Sequence, residues 1–317
     1  MPSYSGVWTL PAQMQATGAN LWPVSLSGNI GIFAGGTAAG VATSAIQYVT
    51  ITTTGNALSF GNLVTGVYDV TACSSSTRGV FAGGYGATYT SAITYTSIIT
   101  KGNSSAFGNL AIATSDMGGC SSETRGVYGG GNAGGSQVAT IKYVTIASTG
   151  NATSFGNLTT PTLGLAGCGS TTRGIFGGGN YGGSLSTIDY ITIATTGNGT
   201  SFGFLTAVTS YLAACSNSTR GVFGGGNSGI TTMSYITIAT TGNATTFGDL
   251  IYAVYNLAAC ANTTRGIFGG GYNTGGLGQN SYISYITIAT TGNALNFGNL
   301  SPAVDGQASC SNSHGGL

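Results

Sequence analysis

One pattern governs what this 317-residue chain can become: a unit of roughly 47 residues recurs six times in register. A T-R-G-[VI]-[FY] block carries Arg78, Arg125, Arg173, Arg220 and Arg265 at its Arg position, and a sixth copy, N-I-G-I-F, puts Ile30 there. Downstream, G-N-x-x-x-F-G-x-L supplies Phe60, Phe107, Phe155, Phe202, Phe247 and Phe297. A Tyr opens the segment between them six times: Tyr48, Tyr95, Tyr143, Tyr190, Tyr235 and Tyr285. Six cysteines follow the same beat: Cys73, Cys120, Cys168, Cys215, Cys260 and Cys310. Successive spacings are 47, 48, 47, 45 and 50 in the Phe, Tyr and Cys series alike. Periods of this size belong to propeller blades, units that bury an apolar face only by stacking on neighbours.

Each unit reads as four short strands. Ala-Ala-Cys-Ser is the first, and R-G-V-F-G-G-G the second, ending in a Gly run. S-Y-I-T-I-A-T is the third, with Ile236 and Ile238 on one face and Tyr235, Thr237 and Ala239 on the other. T-T-G-N turns into a short fourth strand, S-F-G-N-L, and no helical period intervenes. Gly315 falls in phase with Ile30, so we expect a ring rather than an open solenoid, which would need distinct caps. A ring closed by strands from both termini leaves no long free edge. Residues 303–313 are expected to supply the first strand of the blade begun at Ile30, with residues 23–28 as the competing source. The expected fold is all-β: a six-bladed β-propeller of four-stranded antiparallel blades over residues 24–317. Its repeat phases start near 30, 78, 125, 173, 220 and 265. Residues 1–23 form a separate N-terminal arm.

Composition narrows the function. Only 4% of residues are charged and the net charge is +1, so there is no basic stripe for nucleic acid. No uncharged apolar run approaches the ~18 residues of a membrane span. The start, M-P-S-Y-S-G-V-W-T-L-P-A-Q-M, lacks the basic and apolar regions of a signal peptide.

The unit resembles the kelch repeat: a strand ending in a Gly doublet, then a Tyr, then an aromatic about a dozen residues on. Kelch repeats usually carry Trp at that last place, where this chain has Phe, as at Phe247. The resemblance spans residues 30–315 and implies a propeller of four-stranded blades. It leaves function open, because kelch propellers include enzymes, lectins and adaptors. A second resemblance is local. Gly6 to Pro23, with the R-G-V-F-G-G-G and Y-I-T-I-A-T-T-G-N-A-T-x-F-G wording of the repeats, is similar to virion structural proteins of tailed phages, often marine. That resemblance implies a tail, fibre, baseplate or capsid appendage within a homo-oligomeric or larger assembly. The alternative is a cellular kelch-type lectin or interaction adaptor.

No enzyme, cofactor or metal site is expected. His314 is the only His and lies near the end, so a nucleophile–His pair has no base. The acidic residues Asp69, Asp116, Glu123, Asp189, Asp249 and Asp305 read as lying at different repeat phases, which predicts no convergent carboxylates. The cysteines read as small buried hydrophobes, without C-x-x-C spacing. The Arg set (Arg78, Arg125, Arg173, Arg220, Arg265) reads as structural, each guanidinium bonding carbonyls of its own or the next blade. Sequons at Asn151, Asn198 and Asn243 arise from the repeat wording.

Comparison of the six copies locates the expected binding surface. The first–second and third–fourth turns hardly change. The second–third connection and the link to the next blade vary strongly, and in an up-and-down blade both leave by the same end. One face is therefore individual, and function concentrates on loops held by a scaffold. Its candidate residues are Tyr85, Tyr89, Asn132, Asn180, Tyr181, Asn227, Tyr272 and Asn273 from the connections, with Tyr211, Tyr252 and Tyr255 from the links. Tyr and Asn suit glycan or protein contacts on a host surface. Drift on an idle face is the competing reading. Trp8 and Trp22 mark the arm as a docking peg for other virion proteins.

Overall fold

Gly doublets and T-T-G-N turns bend each repeat back on itself three times, and the result is four antiparallel strands per blade. The computed structural model describes residues 29–313, apart from Ser228, Gly276 and Leu277. Six four-stranded sheets are present among them. Blade II shows the pattern: an inner strand Thr71–Ser74, a second Arg78–Ala82, a third Ala92–Ser97 and an outer Ser105–Asn109. Blades III to VI begin with inner strands Gly118–Ser121, Ala166–Gly169, Ala213–Ser216 and Ala258–Ala261.

Blade I is assembled from both ends of the described chain. Its inner strand is Ala308–Ser311, which pairs antiparallel with Ile30–Ala34, from Gly31 opposite Ser311 to Ala34 opposite Ala308. Ala45–Thr50 and Leu58–Asn62 complete it. The six inner strands neighbour one another in order and close a circle, which makes the fold a six-bladed β-propeller. The N-terminal arm with Trp8 and Trp22, and His314, lie outside the described residues.

The seams between blades hold the core. On the second strand, Val and Phe at successive positions point to opposite sides, so Val80 packs toward blade III and Phe81 toward blade I, both about 1% exposed or less. Each cysteine crosses one seam: the thiols of Cys310, Cys73, Cys120, Cys168, Cys215 and Cys260 lie against Gly79, Gly126, Gly174, Gly221, Gly266 and Gly31 of the following blade. All six are free and buried, and burial pushes each thiol up, to about 12 for Cys73 and Cys168.

The outer strands are locked by the T-G-N turns. The Gly197–Asn198 turn of blade IV docks on the outer strand of blade III, where Asn198 Oδ1 accepts the Asn157 N–H at 3.0 Å and Gly199 N–H donates to the Asn157 carbonyl at 2.7 Å. The same bond recurs from Asn103, Asn151, Asn243, Asn293 and, across the closure, Asn56. A Cβ on Gly156 would strike the Gly197 carbonyl, so the strand needs glycine to admit the turn. The sequon residues Asn151, Asn198 and Asn243 thus carry a side chain used between blades.

Candidate binding site

The arginines belong to the scaffold. Arg173 stacks 4.4 Å over Tyr190 of its own blade while its guanidinium donates to the Ile238 and Ala239 carbonyls of the next, at 2.8 and 3.0 Å. Arg78, Arg125, Arg220 and Arg265 repeat this contact on Tyr95, Tyr143, Tyr235 and Tyr285. Each Tyr in turn meets the blade's Phe edge-on, with centroids about 6 Å apart. Blade I has Ile30 at the Arg position, and Lys101 of blade II reaches back instead, 4.6 Å over Tyr48.

The opposite end of the disc is built differently. There the link into each blade pairs with that blade's second–third connection: Tyr68 with Tyr85, Ser115 with Asn132, Leu163 with Asn180, Tyr255 with Tyr272, and Asp305 with Thr37. Asn227 N–H donates to the Ser210 carbonyl at 2.9 Å in the same way. Both variable connections therefore occupy one face.

Inside this belt lies a second ring. Asp69, Asp116, Gly164, Tyr211, Asn256 and Gly306 occupy one repeat position, and all six have positive φ, between 50° and 65°. Their backbones form a closed circuit. Asp116 N–H donates to Asp69 O, Gly164 to Asp116, Tyr211 to Gly164, Asn256 to Tyr211, Gly306 to Asn256 and Asp69 to Gly306, at 2.6–3.0 Å. This circuit frames a cavity of about 80 Å³ at the axis, above further axial cavities of about 110 and 40 Å³. Left-handed backbone suits Gly, Asn and Asp, but it strains a bulky residue. At Tyr211 it costs about 1–2 kcal/mol.

The side chains at this mouth are acidic and aromatic. Asp69 and Asp116 come from equivalent positions of adjacent blades, and Asp305 flanks Gly306. For Asp69, Asp116 and Asp305 this corrects the expectation that no carboxylates converge; Glu123, Asp189 and Asp249 stand elsewhere, on Ser76, Thr159 and Thr231. Asp69 and Asp116 are 47 residues apart, the same interval as Cys73 and Cys120, so they share a phase. Burial, then the charges of Asp116 and Asp305, push Asp69 up to about 8. Burial also raises Asp116, against a 2.6 Å bond from Ser115 Oγ. Burial raises Asp305, against the amide of Gln279, which donates at 2.8 Å. Tyr211 rises to about 12 through burial and then Asp116, Asp69 and Tyr89. Gln307, 5% exposed, lines the same cavity. Its Nε2 donates to the Gly269 carbonyl at 2.7 Å, but its Oε1 has no partner among the described residues.

Most residues expected on the individual face surround this mouth. Tyr85 and Tyr89 meet edge-on at 4.9 Å, with Tyr68 a further 5.5 Å from Tyr85, and Tyr255 and Tyr272 lie 5.6 Å apart on the other side of blade I. Asn132, Asn180 and Asn227 stand in the belt. Asn132 accepts from Gly135 and Asn273 donates to Gly278, so these amides shape their own loops, while Asn227 accepts from Ser184 of the neighbouring blade's connection. Tyr181 is an exposed loop residue, and Tyr252 is away from the mouth, stacked on Tyr282 at an outer seam. Sequence reasoning missed Asp69, Asp116, Asn256 and Asp305, although phase comparison of the links would have aligned the first three. Compared with known proteins, the chain matches no family model and no curated sequence.

Proposed function

We propose that the protein is a non-enzymatic binding module whose axial mouth takes an uncharged glycan. The observation that carries this reading is Tyr211, held in a strained backbone conformation that glycine would adopt freely, beside two carboxyls and the orphaned Gln307 oxygen. Carboxyl and amide oxygens accept bonds from sugar hydroxyls, and tyrosine faces take the apolar side of a pyranose. Among the described residues no cation lines the mouth, so an anionic ligand would find no partner there and would push these carboxyls up further. All six thiols are buried and offer no exposed nucleophile, and we read the site as one that binds without turnover.

We place the protein in the particle of a tailed phage, with the propeller displayed toward the host surface and the arm bound to other virion proteins. Support for this comes from the resemblance of residues 6–23 and of the repeat wording to such proteins. A glycan array probed with the full chain tests the mouth. Binding to neutral glycans is expected, at least tenfold weaker for Tyr211→Gly and for Asp69→Asn. A blank array, or variants that bind unchanged, overturns the reading. Peptide mass spectrometry of purified particles tests the location.

A further inference from the structure

The six seams are not equally filled near the rim of the individual face. Between blades I and II lies a cavity of about 590 Å³. The equivalent cleft between blades V and VI measures about 20 Å³. The walls correspond residue for residue: Leu63 to Leu250, Val67 to Val254, Phe81 to Phe268. Two positions account for the difference. Tyr252 and Tyr282 stack across the V–VI cleft, with centroids 4.6 Å apart and planes 22° from parallel. Their counterparts in the I–II cleft are Thr65 and Ala92, which leave that volume open.

A third position works the same way. Gln47 and Asp189 stand on the third strand one residue before the repeat Tyr, and they tie down the preceding link by accepting from Ser301 and Thr159 at 2.8 Å. In the I–II cleft that residue is Thr94. The cleft thus combines short side chains at all three positions that its siblings use for filling or clamping.

We propose that the cleft between blades I and II is a binding pocket for an uncharged, planar aromatic small molecule, seated where Tyr252 and Tyr282 stack in the sibling cleft. The volume lies within the ~300–1,000 Å³ of ligand pockets. The floor is apolar, with Phe81 and Val70, no lining residue is charged, and the Thr65 and Thr94 hydroxyls and the Asn109 amide provide hydrogen-bonding edges. An ion would lose its hydration there without a partner, whereas an aromatic plane gains the stacking and apolar contacts that the tyrosine pair makes next door.

The test uses the full chain and the neutral fluorophore N-phenyl-1-naphthylamine. The wild-type protein takes up one equivalent with enhanced emission. The double variant Thr65→Tyr/Ala92→Tyr, which plugs the cleft as its sibling is plugged, binds at least tenfold more weakly. The reverse variant, Tyr252→Thr/Tyr282→Ala, binds two equivalents. Absence of uptake by the wild-type protein, or unchanged affinity in a folded plugged variant, overturns the proposal.

Discussion

Arg173 makes two carbonyl bonds across a seam and one ring contact within its own blade, and each has a known scale. Bonds from a charged donor contribute about 1.5–3 kcal/mol, and a cation over an exposed ring about 0.5–1. Because Arg173 is only half-buried and its Ala239 bond is exposed, solvent screens part of this, and we expect Arg173→Ala to lower stability by about 2–3 kcal/mol in denaturant unfolding, with Lys recovering only part, because a point charge cannot bridge two carbonyls while lying flat on Tyr190. Asp69 acts in the opposite sense. Its carboxyl binds its proton more tightly when folded, up to about 8 against an ordinary 3.8. The folded state is therefore favoured at low pH, and this contribution is lost as pH rises from about 4 through about 8. Asp69→Asn keeps a residue tolerant of left-handed backbone and removes the charge. It should stabilise the protein by about 1–3 kcal/mol at pH 8 and leave it unchanged at pH 4, as read from thermal melts at both. The carbonyl bonds were legible from an Arg that recurs in five of the six repeats, but the stacking on Tyr was not. Nor was the replacement of that Arg by Lys101, because Lys101 comes from the neighbouring repeat and only the folded seam places it over Tyr48.

The element that locks each seam is the T-G-N turn seated on the previous outer strand. Gly156→Ala inserts a methyl into the Gly197 carbonyl, where every near atom is backbone and no flexible side chain can yield. Such overpacking costs about 1–3 kcal/mol. The same loss is expected for Gly108→Ala and, at the closure, for Gly298→Ala, which meets Gly55. Equal losses in chemical denaturation would show that the closing seam is packed like the others. At this scale the sequence was readable almost throughout, because strand and turn signals repeat six times. The I–II pocket was the exception. It arises from side chains that are short, Thr65 and Ala92, and an unfilled volume leaves no mark in a string of residues until the walls around it are known.

For the whole molecule, closure depends on Ala308–Ser311 pairing with Ile30–Ala34 and on the Asp69–Gly306 and Gly306–Asn256 bonds at the mouth. Ending the chain at residue 302 removes all of these and leaves blade I with three strands. The exposed edge should make the protein associate, visible as added mass in light scattering. Phase matching of the first and last repeats disclosed this ring. The carboxylate mouth is invisible as long as Asp69 and Asp116 are read as scattered acids rather than as one position in two copies. The cysteines have a further consequence. Each sits at a different seam, buried and protonated, against the glycine of the following blade. An alkylating reagent can reach such a thiol only while its own seam is parted. Pulsed labelling followed by peptide mapping would therefore read the breathing of each seam separately, so the native protein carries six internal clocks, one for every joint in its ring.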